Sequence, residues 1–258
     1  MIGGYTLSVI LTAMKLITLN VEGPTYLDKV LPFLLTESPD VVCLQEATVE
    51  YEAFFIAQGY RVVMEPRCIR EHNGVSFIDG VMMASRLPMT AEVFCYHDTG
   101  TGIEREYFDE VTGQFNSRRH IVMGTITDGT REYRIGTTHF TWTKDGDTPC
   151  QTQQMSIQNF VEIVSAFTPH IMCGDFNIPR GYNSLYDVLA TIYQDNIPPV
   201  CTTSLDREHH RLKDVPEKVN LLDRYMVDYI FSQPPYQVTE VRQVFGVSDH
   251  AATVATVA

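Results

Sequence analysis

Asp175 and Asn177, in the tetrapeptide Gly174-Asp175-Phe176-Asn177, set a carboxylate and an amide two residues apart at the end of the apolar run Ile171-Met172-Cys173. On extended chain the two side chains share a face, and together they offer what a water molecule or a phosphate oxygen needs. Gly174 removes a Cβ where the backbone must turn or approach another group closely. The alternative reading is an Asx turn, with both side chains used by nearby backbone groups. Similar residues recur where other apolar runs stop: Asn20, Glu46, His139, and Asp249-His250 after Ser248. Asp228 sits within the run Met226 to Phe231. A carboxylate in such surroundings is costly unless it meets a cation, so Glu46 and Asp228 call for a metal ion or a basic partner. An Asp that holds a His ring orients it and favours its charged form, which makes Asp228 and His250 a candidate pair. Each position also has a plainer reading. Glu46 could face a helix N-terminus, Asn20 could cap a loop, and His139 could be a satisfied core histidine.

Short elements must carry these residues. Residues 15–20 alternate and end at Asn20, while 26–37 have apolar residues at helical spacing. Val41-Val42-Cys43-Leu44 is continuous and apolar, a strand buried on both faces, and 49–58 form a second helix that Gly59 caps. Strands follow over 61–64 and 80–85, separated by what reads as a polar loop from Arg67 to Asp79, and another over 89–96. Residues 119–127 and 131–138 read as a hairpin turning at Asp128-Gly129. A helix near 153–167 precedes the Gly-Asp-x-Asn strand, and a short one spans about 184–192. A polar excursion covers 196–220, and the chain finishes with two strands, 226–232 and 237–246. Cys43 and Cys173 fall inside apolar runs and read as small buried hydrophobes.

The chain has 258 residues, 44% of them hydrophobic, which is enough for a large packed core. Acids outnumber bases 32 to 19, for a formal charge of −13. That balance argues against a dedicated nucleic-acid binder with a basic stripe. It leaves room for an enzyme that meets a phosphodiester through a divalent ion, whose charge acts locally. Six scattered cysteines without C-x-x-C or Cys/His zinc spacing suggest free thiols in a reducing, cytoplasmic setting. No run approaches the ~18–20 apolar residues of a membrane span. Residues 1–13 read as a poorly ordered leader and 14–258 as one domain.

Asn20, Leu44-Gln45-Glu46, Thr138-His139, Gly174-Asp175-Phe176-Asn177, Asp228-Tyr229-Ile230 and Ser248-Asp249-His250 resemble, in order and spacing, the endonuclease/exonuclease/phosphatase superfamily, whose members include deoxyribonuclease I. The resemblance runs from about Met14 to Ala258. It implies a four-layer α/β sandwich, with two mixed β-sheets packed face to face, helices outside, and a Mg²⁺ site at one end that Mn²⁺ could also fill. Carried over residue by residue, Glu46 would be the principal metal ligand, with Asn20 and Asp249 helping to hold the ion. Asp175 would orient or deprotonate the attacking water, and Asn177 would fix that water or a phosphate oxygen. His250, braced by Asp228, would stabilise the pentacovalent phosphate, and His139 would contact a non-bridging oxygen or assist the leaving group.

The expected activity is metal-dependent phosphoesterase chemistry, a phosphodiesterase before a phosphomonoesterase, on a monomer with a phosphate-ester substrate. A nuclease or DNA-end repair enzyme is the alternative of the same chemistry, with nucleic acid as substrate. A catalytically inactive binding scaffold is the alternative of another class. Departures from the family narrow the choice. His139-Phe140-Thr141-Trp142 stands where abasic-site endonucleases carry Tyr-x-Pro-Asn, and Ile178-Pro179-Arg180-Gly181 lacks the lipid-directed signature of inositol 5-phosphatases. Asp79 is a candidate partner for His139, in place of the Glu that deoxyribonuclease I uses. Arg180 and Trp142 are the candidate substrate contacts, with Arg118, Arg119 and His209-His210-Arg211 as further basic residues placed to meet substrate.

Overall fold

Apolar runs with no polar face fold here into strands covered on both sides. In the computed structural model, residues 13–98, 100, 102–110, 114–129 and 131–258 are described. The expected leader, Ala13 apart, lies outside them. The elements run β1 (Met14–Asn20), α1 (Leu27–Glu37), β2 (Val41–Ala47), α2 (Val49–Ala57), β3 (Arg61–His72), β4 (Val75–Ser85), β5 (Met89–His97), β6 (Phe108–Asp109), β7 (Gln114–Phe115), β8 (Arg119–Asp128) and β9 (Arg131–His139). They continue with α3 (Gln151–Ser165), β10 (Ile171–Asp175), α4 (Leu185–Ile192), β11 (Gln194–Asp195), 3-10 turns at Arg211–Asp214 and Val219–Asp223, β12 (Asp228–Ser232), β13 (Val238–Val244) and β14 (Ala252–Val257).

Two six-stranded sheets result, ordered β13-β14-β1-β2-β4-β3 and β11-β12-β10-β9-β8-β5. The period of two along each strand sorts its side chains into layers. Val41 and Cys43 of β2 meet Ile171 and Cys173 of β10 and Ile230 of β12 in the core between the sheets. Val42 and Leu44 turn the other way onto α1 and α2, while Met172, Tyr229 and Phe231 turn onto α3 and α4. The four layers are therefore helices, sheet, sheet, helices, as expected. Near one end the inter-sheet core becomes polar: Gln45 Nε2 donates to Thr18 Oγ1 at 3.3 Å and to Thr137 Oγ1 at 3.1 Å, linking the sheets beneath the acidic cluster. All six cysteines are free thiols, with Cys43 and Cys173 buried. Among the described residues no helix is long and apolar enough to cross a membrane.

Three expectations need correction. The stretch from Arg67 to Asp79 is not a loop: β3 and β4 continue through it in antiparallel register, Cys68 opposite Asp79 and His72 opposite Val75. The turn is Asn73-Gly74, both at positive φ, the residue pair that two-residue hairpins favour. The arm reads as polar because its side chains face a site and solvent rather than the core. Secondly, the chain ends in a further strand, β14, inserted between β13 and β1. Its Ala- and Thr-rich sequence has a weak strand signature, and burial in the sheet supplies what propensity does not. Finally, Asp228 begins its strand rather than lying within it, so it stands at a sheet end like the other polar residues.

Gly174 shows why the central motif requires glycine. Its φ is +134°, and a Cβ there would come within 2.1 Å of the Thr138 carbonyl oxygen on β9. Gly174→Ala is expected to destabilise the protein by about 3 kcal/mol or more, from backbone strain and overpacking together, measured by urea unfolding. A loss below about 1 kcal/mol would show that β9 and β10 can separate locally at no great cost.

Candidate active site

Strand direction brings the polar residues together. β1 with β2 and β9 with β10 are parallel pairs, so their C-terminal ends carry Asn20, Glu46, His139 and Asp175 to the same edge. β12 and β14 run antiparallel to β10 and β1, so their starts deliver Asp228 and the preceding Asp249-His250 there too. A cleft of about 170 Å³ opens at this edge, lined by Asn20, Glu46, His139, Asp175, Asn177, Asp249 and His250.

Asp175 is 2% exposed and lies opposite Asp228 in register. One carboxylate oxygen accepts the Asn177 backbone N–H at 2.9 Å, so the Asx turn is present. The other oxygen accepts from Asn20 Nδ2 at 3.0 Å and lies 3.5 Å from His139 Nε2. The turn therefore uses only one of the two oxygens. Burial, then the Asp228 charge, push the Asp175 carboxyl up to about 6, against the influence of His250 and the two hydrogen bonds. Asn177, at φ 52°, donates through Nδ2 to the Phe140 carbonyl at 3.1 Å.

His250 Nδ1 meets Asp228 Oδ2 at 2.7 Å. Burial opposes charge on the ring, yet Asp228 and Asp249 hold its pKa well above the usual histidine range. Asp228 is fixed at the strand start because its N–H and that of Val227 both donate to Ser204 Oγ at 3.1 Å. Asp175, Asp228 and His250 present donor atoms all within 4.8 Å of one another. His139 has the opposite environment: burial, then Arg119 and Arg67, drive its pKa well below the usual value, leaving a neutral ring. Its Nδ1 is buried without a hydrogen bond, 3.8 Å from Glu46 Oε1.

Glu46 is turned toward the cleft by a left-handed backbone, φ 57°, at the bulge between β2 and β4. A non-glycine residue held there carries strain of the kind that functional sites retain. Glu22, also at positive φ, interacts with Asp249 carboxyl to carboxyl. Burial raises both carboxyls; that interaction and Arg70 nevertheless carry Glu22 down to about 2, while Glu22 helps to keep Asp249 well above the carboxylate range. Glu22 and Glu46, joined through Arg70, and the buried Asp249 line the same cleft and offer carboxylate oxygens, the donor type that suits a hard divalent cation such as Mg²⁺ or Mn²⁺.

Several sequence expectations change at this point. Asn20 uses both ends of its amide inside the protein: Oδ1 accepts the Glu22 N–H at 3.1 Å and Nδ2 holds Asp175. Through Nδ2 it orients Asp175. Arg180 turns away from the cleft, bonded to Asp195 at 2.9 Å and to the carbonyls of Ile197, Pro198 and Cys201, so it ties a loop. Asp79 pairs with Arg67 rather than with His139. Arg118 faces Glu65 and Asp98, and His209 is held by Asp206. His210 does line the cleft, but burial and His250 lower it to about 3, so it is neutral. Because His210 Nδ1 accepts the Leu212 N–H at 3.1 Å, its proton resides on Nε2. Trp142 lines the cleft beside Phe115, at 5.4 Å between ring centroids.

The β3–β4 arm supplies residues that the sequence reading took for a loop, and Arg119, read as a basic residue placed to meet substrate, joins them at the cleft. Arg67 is 4% exposed, forked onto Asp79 and bonded to Glu106 at 2.9 Å. Arg70 bridges Glu46 and Glu22. Among the described residues Arg119, 3% exposed, lines the cleft with one hydrogen bond, to the His139 carbonyl at 3.3 Å, and no carboxylate partner. Burial and nearby Arg67 pull its pKa below the ordinary guanidinium value, although it stays charged. Such a group is prepared for an anion. Asn73-Gly74 was the available signal for the arm, and so for both of its arginines.

The comparisons with known proteins agree with this architecture. The sequence profile of the endonuclease/exonuclease/phosphatase family matches residues 17–250. An endonuclease/exonuclease/phosphatase from Beutenbergia cavernae DSM 12333 superposes with a TM-score of 0.68 at 17% identity, covering 95% of this chain and 71% of that one. The human Nocturnin catalytic domain with bound sulfate gives 0.65 at 17% identity, covering 95% and 94%. D. rerio TDP2 complexed with a single-strand DNA product gives 0.64 at 17% identity, covering 96% and 99%. No curated protein matches the chain by sequence. With the profile covering most of its length, this chain belongs to the endonuclease/exonuclease/phosphatase family.

Proposed function

We propose that the protein is a divalent-cation-dependent phosphoesterase that hydrolyses a phosphodiester by in-line attack of water. The observation that carries this reading is the trio Asp175, Asp228 and His250, within 4.8 Å of one another, with Asp175 raised toward neutrality and His250 raised well above its usual range. A carboxylate raised toward neutrality can accept a proton, while a charged imidazole beside it can donate to a developing oxyanion. Asp175 takes the proton of the attacking water at the oxygen that Asn20 and His139 orient. His250, held through Nδ1 by Asp228, directs Nε2–H at a phosphoryl oxygen. Arg119 receives a non-bridging oxygen and Asn177 adds a further donor, while the neutral His139, with a single N–H, serves Asp175. Glu46, Glu22 and Asp249 would hold Mg²⁺ or Mn²⁺. When bound, the ion supplies Lewis-acid stabilisation and lowers the pKa of water. Membership of a family of phosphate-ester hydrolases supports the same reading.

The test is Mg²⁺- or Mn²⁺-dependent hydrolysis by the purified protein of bis(4-nitrophenyl) phosphate against 4-nitrophenyl phosphate, with EDTA and Asp175→Asn as controls. Diester cleavage that both controls abolish supports the reading. No turnover together with no detectable ion binding would overturn it in favour of a binding scaffold. A second reading, a nuclease acting on single-stranded ends, is favoured by the rim: Phe115 and Trp142 offer stacking faces beside Lys144, Arg211 and Lys218. Trp142 is the chain's one tryptophan, so quenching of its fluorescence by a short oligonucleotide, and not by ribose 5-phosphate, is the expected result for that reading.

A further inference from the structure

We propose that Arg70 is a built-in counter-cation that competes with the divalent ion for Glu46 and Glu22, and so sets the ion affinity of the site. This rests on the reading above, in which those carboxylates receive the ion. Arg70 Nη1 contacts Glu46, Nη2 lies 3.3 Å from Glu22 Oε1, and the same guanidinium lies 3.4 Å from Asp79 and 3.7 Å from Glu106. Arg70 occupies Glu46 Oε2 and Glu22 Oε1, so an ion that binds both carboxylates through those oxygens must displace it.

Of the arm's two arginines, Arg70 is the one able to yield. Arg67 is 4% exposed and bonded to Asp79, Glu106 and Ser117, with Nη2 4.0 Å from Glu46 Oε1. Arg70 is 19% exposed, stands at the cleft wall, and retains Glu106 beside its Nε when it leaves the other two. Arg67 continues to neutralise Asp79 and Glu106 after that movement, so no buried acid is left without a cation. Ion entry therefore exchanges one cation for another, and its affinity is lowered by the free energy of releasing Arg70. The released guanidinium remains at the cleft, where a phosphate can take it up.

The experiment is calorimetric titration of Mn²⁺ into the EDTA-treated, dialysed protein, comparing wild type with Arg70→Gln, Arg70→Lys and Arg105→Gln. Arg105 is an exposed arginine paired with Glu71, and its removal changes net charge equally. Arg70→Gln is expected to bind Mn²⁺ at least about tenfold more tightly, and Arg105→Gln within about twofold of wild type. Arg70→Lys is expected to tighten binding by a smaller factor, because an ammonium does not fork between two carboxylates. Should Arg70→Gln fail to fold, Arg70→Lys decides the matter alone. Equal affinity in wild type and both Arg70 variants overturns the competition while leaving the phosphoesterase reading intact. An equal gain in Arg105→Gln also overturns it, since net charge would then be the cause. No Mn²⁺ binding by any variant overturns the ion site, and this proposal with it.

Discussion

Asp175→Asn is expected to lower kcat for diester hydrolysis by about 10³-fold or more while the protein remains folded. The substitution keeps the shape, and one side-chain oxygen can still accept the Asn177 N–H that forms the turn. What disappears is the ability to take a proton at the oxygen held by Asn20 and faced by His139. Stability should change by no more than about 1 kcal/mol. The new amide meets Asn20 Nδ2 with a donor, but the repulsion between Asp175 and Asp228 is relieved. The sign with pH follows from the same environment. The carboxyl must be ionised to accept a proton and is raised to about 6, so the wild-type rate falls as pH drops through that region, about tenfold per unit below it. Asp175→Asn loses this limb. Initial rates from pH 5 to 8, with urea unfolding alongside, check both parts. Residual activity within tenfold of wild type would remove Asp175 from the role of base.

Asp228→Asn is expected to cost about 10²- to 10⁴-fold in kcat, although Asp228 lies behind His250 rather than on the cleft. The amide can still hold the ring, and Ser204 still fixes the start of β12. The charge that keeps the imidazole protonated is lost. Burial then dominates and draws the His250 pKa downward. In wild type the ring stays protonated across neutral pH, because its pKa lies well above the ordinary range. In the variant it deprotonates as pH rises through a lower value, and Nε2–H is no longer backed by a positive charge. Imidazole nitrogen shifts followed by NMR from pH 5 to 9 report this directly. An unchanged His250 titration in Asp228→Asn would show that Asp249 alone maintains the charge.

These two residues were legible before any coordinates because their cause is local. An acid beside or within an apolar run, Asp175 after Ile171-Met172-Cys173 and Asp228 before Tyr229-Ile230-Phe231, announces a desolvated charge that needs a partner. The layered sandwich was legible for the same reason, since runs such as Val41-Val42-Cys43-Leu44 must be covered on both faces. The last strand was not, because Ala252–Val257 owes its conformation to neighbours on both sides rather than to its own propensity.

By itself, then, the sequence determined the strands with apolar faces and the polar residues that terminate them, because burial and period-two alternation are written in consecutive residues. Only the tertiary structure decided which of those residues share a cleft, since that depends on strand direction: β12 and β14 had to run against β10 and β1 for Asp228 and His250 to arrive beside Asp175. It also decided the charge balance of the site. Arg67 and Arg70 lie in a stretch that reads as a polar loop and Arg119 reads as one of several basic residues placed to meet substrate, yet only the long β3–β4 hairpin and the start of β8 carry all three guanidiniums to the acidic edge, beside Glu22. Arg180, adjacent to the motif in sequence, is drawn off by Asp195 and three carbonyls. A long side chain goes to the nearest buried oxygen acceptors, and only the fold determines where those are.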